Sequence, residues 1–130
     1  MMRLESDLGE YLYAAATSSL ASLPPPKFSP ETALTVVMAA RGYPGAPEKG
    51  GEIDGVEAAE ALGAKVFHAG TAERDGQLVA SGGRVLNVTA RGPSVVEAQR
   101  NAYRAVEAID FPGGFCRRDI GWREIEREQR

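Results

Sequence analysis

The stretch SGGRVLNVTARGPSVVEAQ, Ser81–Gln99, decides the fold. Its middle, RVLNVTA, is an apolar run with β-branched residues and reads as a strand. Its end opens a helix. Pro93 and Ser94 start it, Ser94 and Glu97 make a capping box, and Val95, Ala98, Ala102, Val106 and Ile109 form one apolar stripe. A strand feeding a capped amphipathic helix calls for an α+β domain, with helices packed on one face of a mixed or mostly antiparallel sheet.

The opening of the stretch, Gly82-Gly83-Arg84, has two readings. Glycine supplies positive φ wherever chains turn between strands, which leaves Arg84 projecting into water. The same two glycines also let backbone N–H groups approach an anion, with Arg84 offering a planar fork to phosphate or carboxylate. The spacing is not that of a Walker loop.

Working upstream, KVFHAG reads as a strand, and TAERDGQLVASGG supplies a hairpin turn at Asp75-Gly76 with a return strand. With RVLNVTA these make an antiparallel meander. ALTVVMAA, Ala33–Ala40, reads as a strand buried on both faces. RGYPGAPEKGGE follows it, and its density of Gly and Pro specifies an ordered loop with several special backbone positions. Arg41, Tyr43, Gly45 and Lys49 ride on that loop at a strand exit, a common place for binding residues. GVEAAEALGA is a short helix that Gly63 ends. In FHAGT, Thr71 places a hydroxyl after a glycine at a strand end.

At the N-terminus Ser6 caps a helix to about Ser18, with Leu8, Leu12 and Ala15 or Ala16 on one face. LPPPKFSP, Leu23–Pro30, breaks regular structure as a stiff linker. This divides the chain into a terminal helix (residues 1–22), a linker (23–30) and a domain (31–130). FPGGFCRRDIGWREIEREQR closes the chain with a turn and a charged helix.

The composition narrows the function. A chain of 130 residues with 43% apolar content builds a core without staples. The net charge is −3, and its basic residues are scattered, which argues against a nucleic-acid or membrane-surface role. The single cysteine, Cys116, forms no internal disulfide and fits a reducing, cytoplasmic compartment. His68 is the only histidine and reads as a packed, hydrogen-bonded structural residue. Cys116 reads as core. Glu48, Glu52 and Asp54 read as solvating a loop. No catalytic residue and no metal site emerges. The residues by themselves describe a binding domain.

MRLESDL, VVMAARGYPG, KVFHAGT, GGRVLNVTA with EAQRNAYRAVEAI, and FCRRDIGWR occur here in this order. In that they resemble the C-terminal part of the phosphoribosylamine–glycine ligase family, the glycinamide ribonucleotide synthetases. Arg41, Asn87 and Met2 depart from the usual Lys, Gly and Pro of that family. The resemblance implies an ATP-grasp ligase of purine biosynthesis that joins glycine to 5-phosphoribosylamine through glycyl phosphate, consuming ATP with Mg. It puts the ATP and Mg ligands upstream of the segment resembling MRLESDL, outside this chain. Residues 1–22 then look like the last helix of an ATP-grasp domain, which is the partner this chain lacks, and the chain alone is expected to be inactive. By analogy with related ligases, Arg84 with Gly82 and Gly83 holds the substrate 5-phosphate, and Thr71, Arg41, Tyr43 and Gly45 complete a substrate-side wall. The alternative is a non-catalytic module, or a separately encoded subunit, that binds a phosphorylated ligand.

Overall fold

The computed structural model describes residues 1–130. Along the chain run α1 (Leu8–Ala16), a 3-10 turn (Leu20–Ser22), β1 (Thr32–Ala40), α2 (Val56–Ala61), β2 (Lys65–His68) and β3 (Thr71–Arg74). There follow β4 (Gln77–Ala80), β5 (Arg84–Gly92), α3 (Val95–Glu107), β6 (Gly114–Cys116) and α4 (Trp122–Glu128). The main sheet has the order β2-β5-β1-β6 with every neighbouring pair antiparallel. No helix is long and apolar enough to cross a membrane.

The fold is α+β, with its core on one side of that sheet. Leu34, Val36 and Met38 of β1, Leu86, Val88 and Ala90 of β5, and Val66 of β2 meet α2 and α3 in a single cluster. Val95, Ala98, Ala102 and Val106 form the buried stripe of α3 together with Ala105; the helix ends at Glu107, and Ile109, also buried, follows its Ala108 cap. Alanine at three of these sites brings the helix close to the strands. Each fully buried Val or Leu contributes roughly 1.5–3 kcal/mol. Ser94 Oγ accepts the Glu97 N–H at 3.3 Å, the forward half of the capping box.

Two expectations about the sheet are corrected. The meander does not form, because β3 and β4 make a separate two-stranded ribbon. The ribbon is pinched at its base, where the N–H groups of Ser81 and Gly82 both donate to Gly70 O at 2.7 and 3.1 Å. The far edge of β4 pairs with the loop before α2, through Gly50 N–H to Ala80 O at 2.7 Å and Ile53 N–H to Leu78 O at 2.9 Å. β5 therefore returns beside β2. Nor is β1 buried on both faces: Thr35 and Val37 are exposed, because α2 and α3 lie on the other side.

The N-terminal helix is capped by Asp7, not Ser6. Asp7 Oδ1 accepts the N–H groups of Gly9 and Glu10 at 2.8 and 3.4 Å. Ser6 Oγ instead accepts the Lys27 N–H at 2.8 Å. The helix stops at Ala16, and Leu12 faces solvent while Ala14 is buried. Leu23–Pro30 folds back on the start of the chain: Leu4 bridges Phe28, Ser29 N–H donates to Arg3 O at 2.7 Å, and Tyr11 Oη donates to Pro24 O at 2.7 Å. No residue before Leu34 belongs to the core cluster.

Candidate functional site

The loop after β1 closes onto the start of β5. Arg41 N–H donates to Gly113 O and Glu48 N–H to Arg41 O, both at 2.8 Å, which ties the loop at its base. Gly42 and Gly50 take positive φ, and the Tyr43–Pro44 peptide is cis. The loop carries Tyr43, Pro44 and Pro47 as one wall of an open cleft of about 630 Å3, with Ala69, Gly83, Arg84 and Asn87 as the other.

A β-bulge arms this cleft. Met38 stands opposite Leu86, but Ala39 stands opposite Arg84, so Val85 is the extra residue on β5. Strict alternation sends residues three apart to opposite faces of a sheet. The extra residue reverses that for Arg84 and brings it to the side of Asn87, the re-aiming that bulges produce. The Arg84 guanidinium is exposed and has neither a carboxylate nor a hydrogen-bond partner, whereas Arg41, Arg91, Arg117, Arg118 and Arg127 are each paired. Beside it, Gly83 O accepts the Ala40 N–H at 2.8 Å, while Gly83 N–H has no partner within the chain.

The two glycines serve a purpose other than the turn expected of them, for neither has positive φ. A Cβ on Gly83 would meet Tyr43 Cδ2 at 2.6 Å, and Gly82 approaches the Gly70 backbone. Bare backbone is needed here because other parts of the chain press against it.

The structure thus brings Tyr43, Gly83 and Arg84 together and leaves the other expected residues outside the lining. Gly82 spends its N–H on Gly70 O. Arg41 Nη2 donates to Pro112 O at 3.0 Å, and its guanidinium pairs with Glu48 at 3.6 Å, so it fastens the loop. Gly45 sits at the exposed loop tip. Thr71 Oγ1 bonds His68 Nδ1 at 3.1 Å. His68 is exposed, not packed, because it lies on the edge strand. Pro44, Pro47, Ala69 and Asn87 were missed. The prolines looked like backbone punctuation, and only the bulge puts Asn87 beside Arg84.

No titratable carboxylate or histidine lines the cleft. The perturbed groups lie elsewhere. Hydrogen bonding to the Lys65 ammonium holds Glu60 below the usual carboxylate range, and Arg117 does the same for Asp119. No grouping of three His, Cys, Asp or Glu side chains could hold a metal ion. Glu48 is engaged by Arg41, and Asp54 accepts from Gln77 Nε2 at 3.1 Å. These residues do not fit a magnesium nucleotide. They fit a small anion with a polar body, held by one cationic fork, one N–H and one carboxamide.

Residues 33–123 match the sequence profile of the family "Phosphoribosylglycinamide synthetase, C domain". The phosphoribosylamine–glycine ligase of Mesorhizobium japonicum is 59% identical over 129 residues, covering 99% of this chain and 30% of that protein. The corresponding ligase of Phenylobacterium zucineum is 53% identical over 98% of the chain, and the chloroplastic one of Arabidopsis thaliana is 52% identical over 99%. Among solved structures, phosphoribosylamine–glycine ligase from Thermotoga maritima superposes with a TM-score of 0.70 at 41% identity, covering 87% of this chain and 28% of that one. The chain spans less than a third of the length of these relatives. A profile that matches most of the chain, with relatives more than half identical along nearly all of it, makes this protein a member of the phosphoribosylglycinamide synthetase C-domain family.

Proposed function

We propose that the chain is the C domain of a phosphoribosylamine–glycine ligase, and that its cleft seats the phosphate and ribose of phosphoribosylamine. One observation carries the reading: the unpaired Arg84 guanidinium stands beside the free Gly83 N–H in a cleft walled by Tyr43, Pro44 and Pro47. Arg84 gives the phosphate a bidentate partner, and Gly83 N–H adds a donor that costs no side-chain entropy. A substrate held by its phosphate presents its amine in a fixed direction, and such positioning supplies several kcal/mol toward a transition state.

On this reading the overall reaction is the ATP-dependent joining of glycine to phosphoribosylamine in purine synthesis. On the same reading ATP and its magnesium belong to the remaining part of the ligase; no grouping of three His, Cys, Asp or Glu side chains stands in this chain to hold the metal. Residues 1–22 are the last helix of the ATP-grasp part, 23–30 the connection and 31–130 the substrate-side domain. The chain alone does not catalyse, and with its lone Cys116 it works in the cytoplasm.

The test transplants this chain into the Mesorhizobium japonicum relative in place of the matching stretch. Arg84→Ala in that ligase raises KM for phosphoribosylamine at least tenfold, the scale of a lost charged hydrogen bond, and leaves KM for ATP unchanged. Equal rises for both substrates, or none, overturn the phosphate seat. In the 130-residue chain the same substitution leaves the thermal midpoint unchanged, because the Arg84 guanidinium has no hydrogen-bond or ion-pair partner within it.

A further inference from the structure

Asn87 is half-buried on β5, and its carboxamide makes no hydrogen bond within the protein, while both its polar atoms reach solvent. The other carboxamides of the folded body are engaged. Gln77 Nε2 donates to Ile53 O at 3.2 Å, Gln99 Nε2 to Ile120 O at 2.7 Å and Asn101 Nδ2 to Arg91 O at 3.0 Å. The neighbours across the strands explain the difference. The partners of Asn87 in register are Val37 on β1 and Phe67 on β2, and neither side chain forms hydrogen bonds. The next polar pair along the strands is closed, since Thr35 Oγ1 and Thr89 Oγ1 bond each other at 2.8 Å. Of the residues lining the cleft, only Tyr43, Arg84 and Asn87 carry a polar side-chain group.

The register fixes where Asn87 stands relative to the proposed phosphate seat. Arg84 is opposite Ala39 and Asn87 opposite Val37, so the two lie on one face, two paired positions apart. That separation is about 7 Å along a strand, the reach from a 5-phosphate to the hydroxyls of its own pentose. Tyr43 is at the other end of the cleft, its ring against Gly83. We infer that Asn87 is the specificity residue of this cleft; the inference rests on the function proposed above. Its Nδ2 donates to one hydroxyl of the ribose 2,3-diol and its Oδ1 accepts from the other. The site therefore selects a 5-phosphorylated ribosylamine over its 2-deoxy counterpart. A carboxamide suits the task because it offers a donor and an acceptor side by side, matching two adjacent hydroxyls. A sugar lacking the 2-hydroxyl leaves one of those groups unpaired in a half-buried place, which is how hydrogen-bonding sites reject an analogue. The cleft is open to water, so the discrimination is moderate.

Two sugars are compared in the ligase carrying this chain by transplantation. Ribose 5-phosphate or 2-deoxyribose 5-phosphate condenses with ammonia, losing water, to give the two amines in the assay. The ratio of kcat/KM for the ribose form to that for the deoxy form is measured in the parent, Asn87→Ala, Asn87→Leu and Tyr43→Phe. The equilibrium fraction of each amine cancels between variants, as does any loss of folded enzyme. The expected result is a ratio that falls about tenfold in both Asn87 variants, the worth of one hydrogen bond, and holds in Tyr43→Phe. A ratio unchanged by both Asn87 substitutions overturns the inference, and a fall with Tyr43→Phe instead assigns the diol to that hydroxyl. Equal loss of turnover with both sugars, at an unchanged thermal midpoint of the 130-residue chain, overturns it too. The proposed function is judged separately, from KM in Arg84→Ala. A KM raised there for both amines, with the ratio untouched by the Asn87 substitutions, defeats the specificity and keeps the phosphate seat. Arg84→Ala without effect, while the ratio falls in Asn87→Ala, does the reverse.

Discussion

Tyr43 lies so close to Gly83 that a Cβ there would stand 2.6 Å from the ring Cδ2 and 3.1 Å from Pro47 Cγ. The absent side chain lets the loop after β1 close on the start of β5, and the cleft exists because of it. Gly83→Ala pushes the ring outward and lowers stability by about 1 kcal/mol, the low end of overpacking costs, because a half-exposed ring has room to swing. Tyr43→Ala in the same chain relieves the clash. Urea unfolding of the two single variants and the double variant is expected to show this coupling, and strict additivity would contradict it.

Gly70 is a harder case, since its neighbours are backbone. A Cβ there would meet Arg84 O and Gly82 Cα, both at 2.7 Å. Neither atom can swing aside, so Gly70→Ala is expected to cost about 2–3 kcal/mol and loosen the base of the ribbon. Gly45→Ala is the control. Its Cβ finds only Gly42 O at 3.5 Å, and its φ is not positive, so unfolding midpoints stay within about 0.5 kcal/mol of the parent.

Removing residues 1–30 tests how far the first helix stands apart. No residue before Leu34 enters the core cluster, and the segment closes on itself through the Leu4–Phe28 bridge. The 31–130 domain is expected to unfold cooperatively in a thermal melt, with its transition as sharp as that of the full chain. A broad, non-cooperative melt would show that α1 belongs to this core.

Glu60 gives a pH signature. Its carboxylate accepts from Lys65 Nζ at 2.6 Å and from Val66 N–H at 3.1 Å, which holds its pKa below that of the unfolded chain. A lowered folded pKa means that the stabilisation is present above the unfolded value and is lost as pH falls through the folded one. Thermal midpoints of the parent are therefore expected to exceed those of Glu60→Gln at neutral pH. The gap closes as pH is taken down through the carboxylate range. A gap that persists in acid would assign the effect to packing. The pair is exposed, so the gap is small and shrinks with salt.

Much of the fold was legible locally. The Ser94 cap, the stripe Val95, Ala98, Ala102 and Val106 of α3 and the Asp75-Gly76 turn are statements about neighbours in sequence, and each is found in place, while Ile109 is buried just past the end of the helix. The misplacement of the α1 cap shows the limit of such reading, because Ser6 and Asp7 are both competent acceptors. Ser6 was claimed by Lys27, a residue 21 positions away. The candidate site was less legible. Arg84, Gly83 and Tyr43 stood out by residue type. Arg41 and Thr71 stood out equally, yet Pro112 O and His68 engage them.

By itself the sequence determined the α+β class, the length and type of most elements, the buried stripe of α3 and, through its ordered motifs, the family. These follow from period, capping chemistry and local backbone preference, which act over a few residues. Only the tertiary structure decided that β5 pairs with β2 and β1, that a bulge at Val85 turns Arg84 toward Asn87, and that Gly83 is a contact surface for Tyr43. Those outcomes depend on which distant strand or ring fills the space first. Packing density and hydrogen-bond satisfaction across the chain settle that, and no local window contains them.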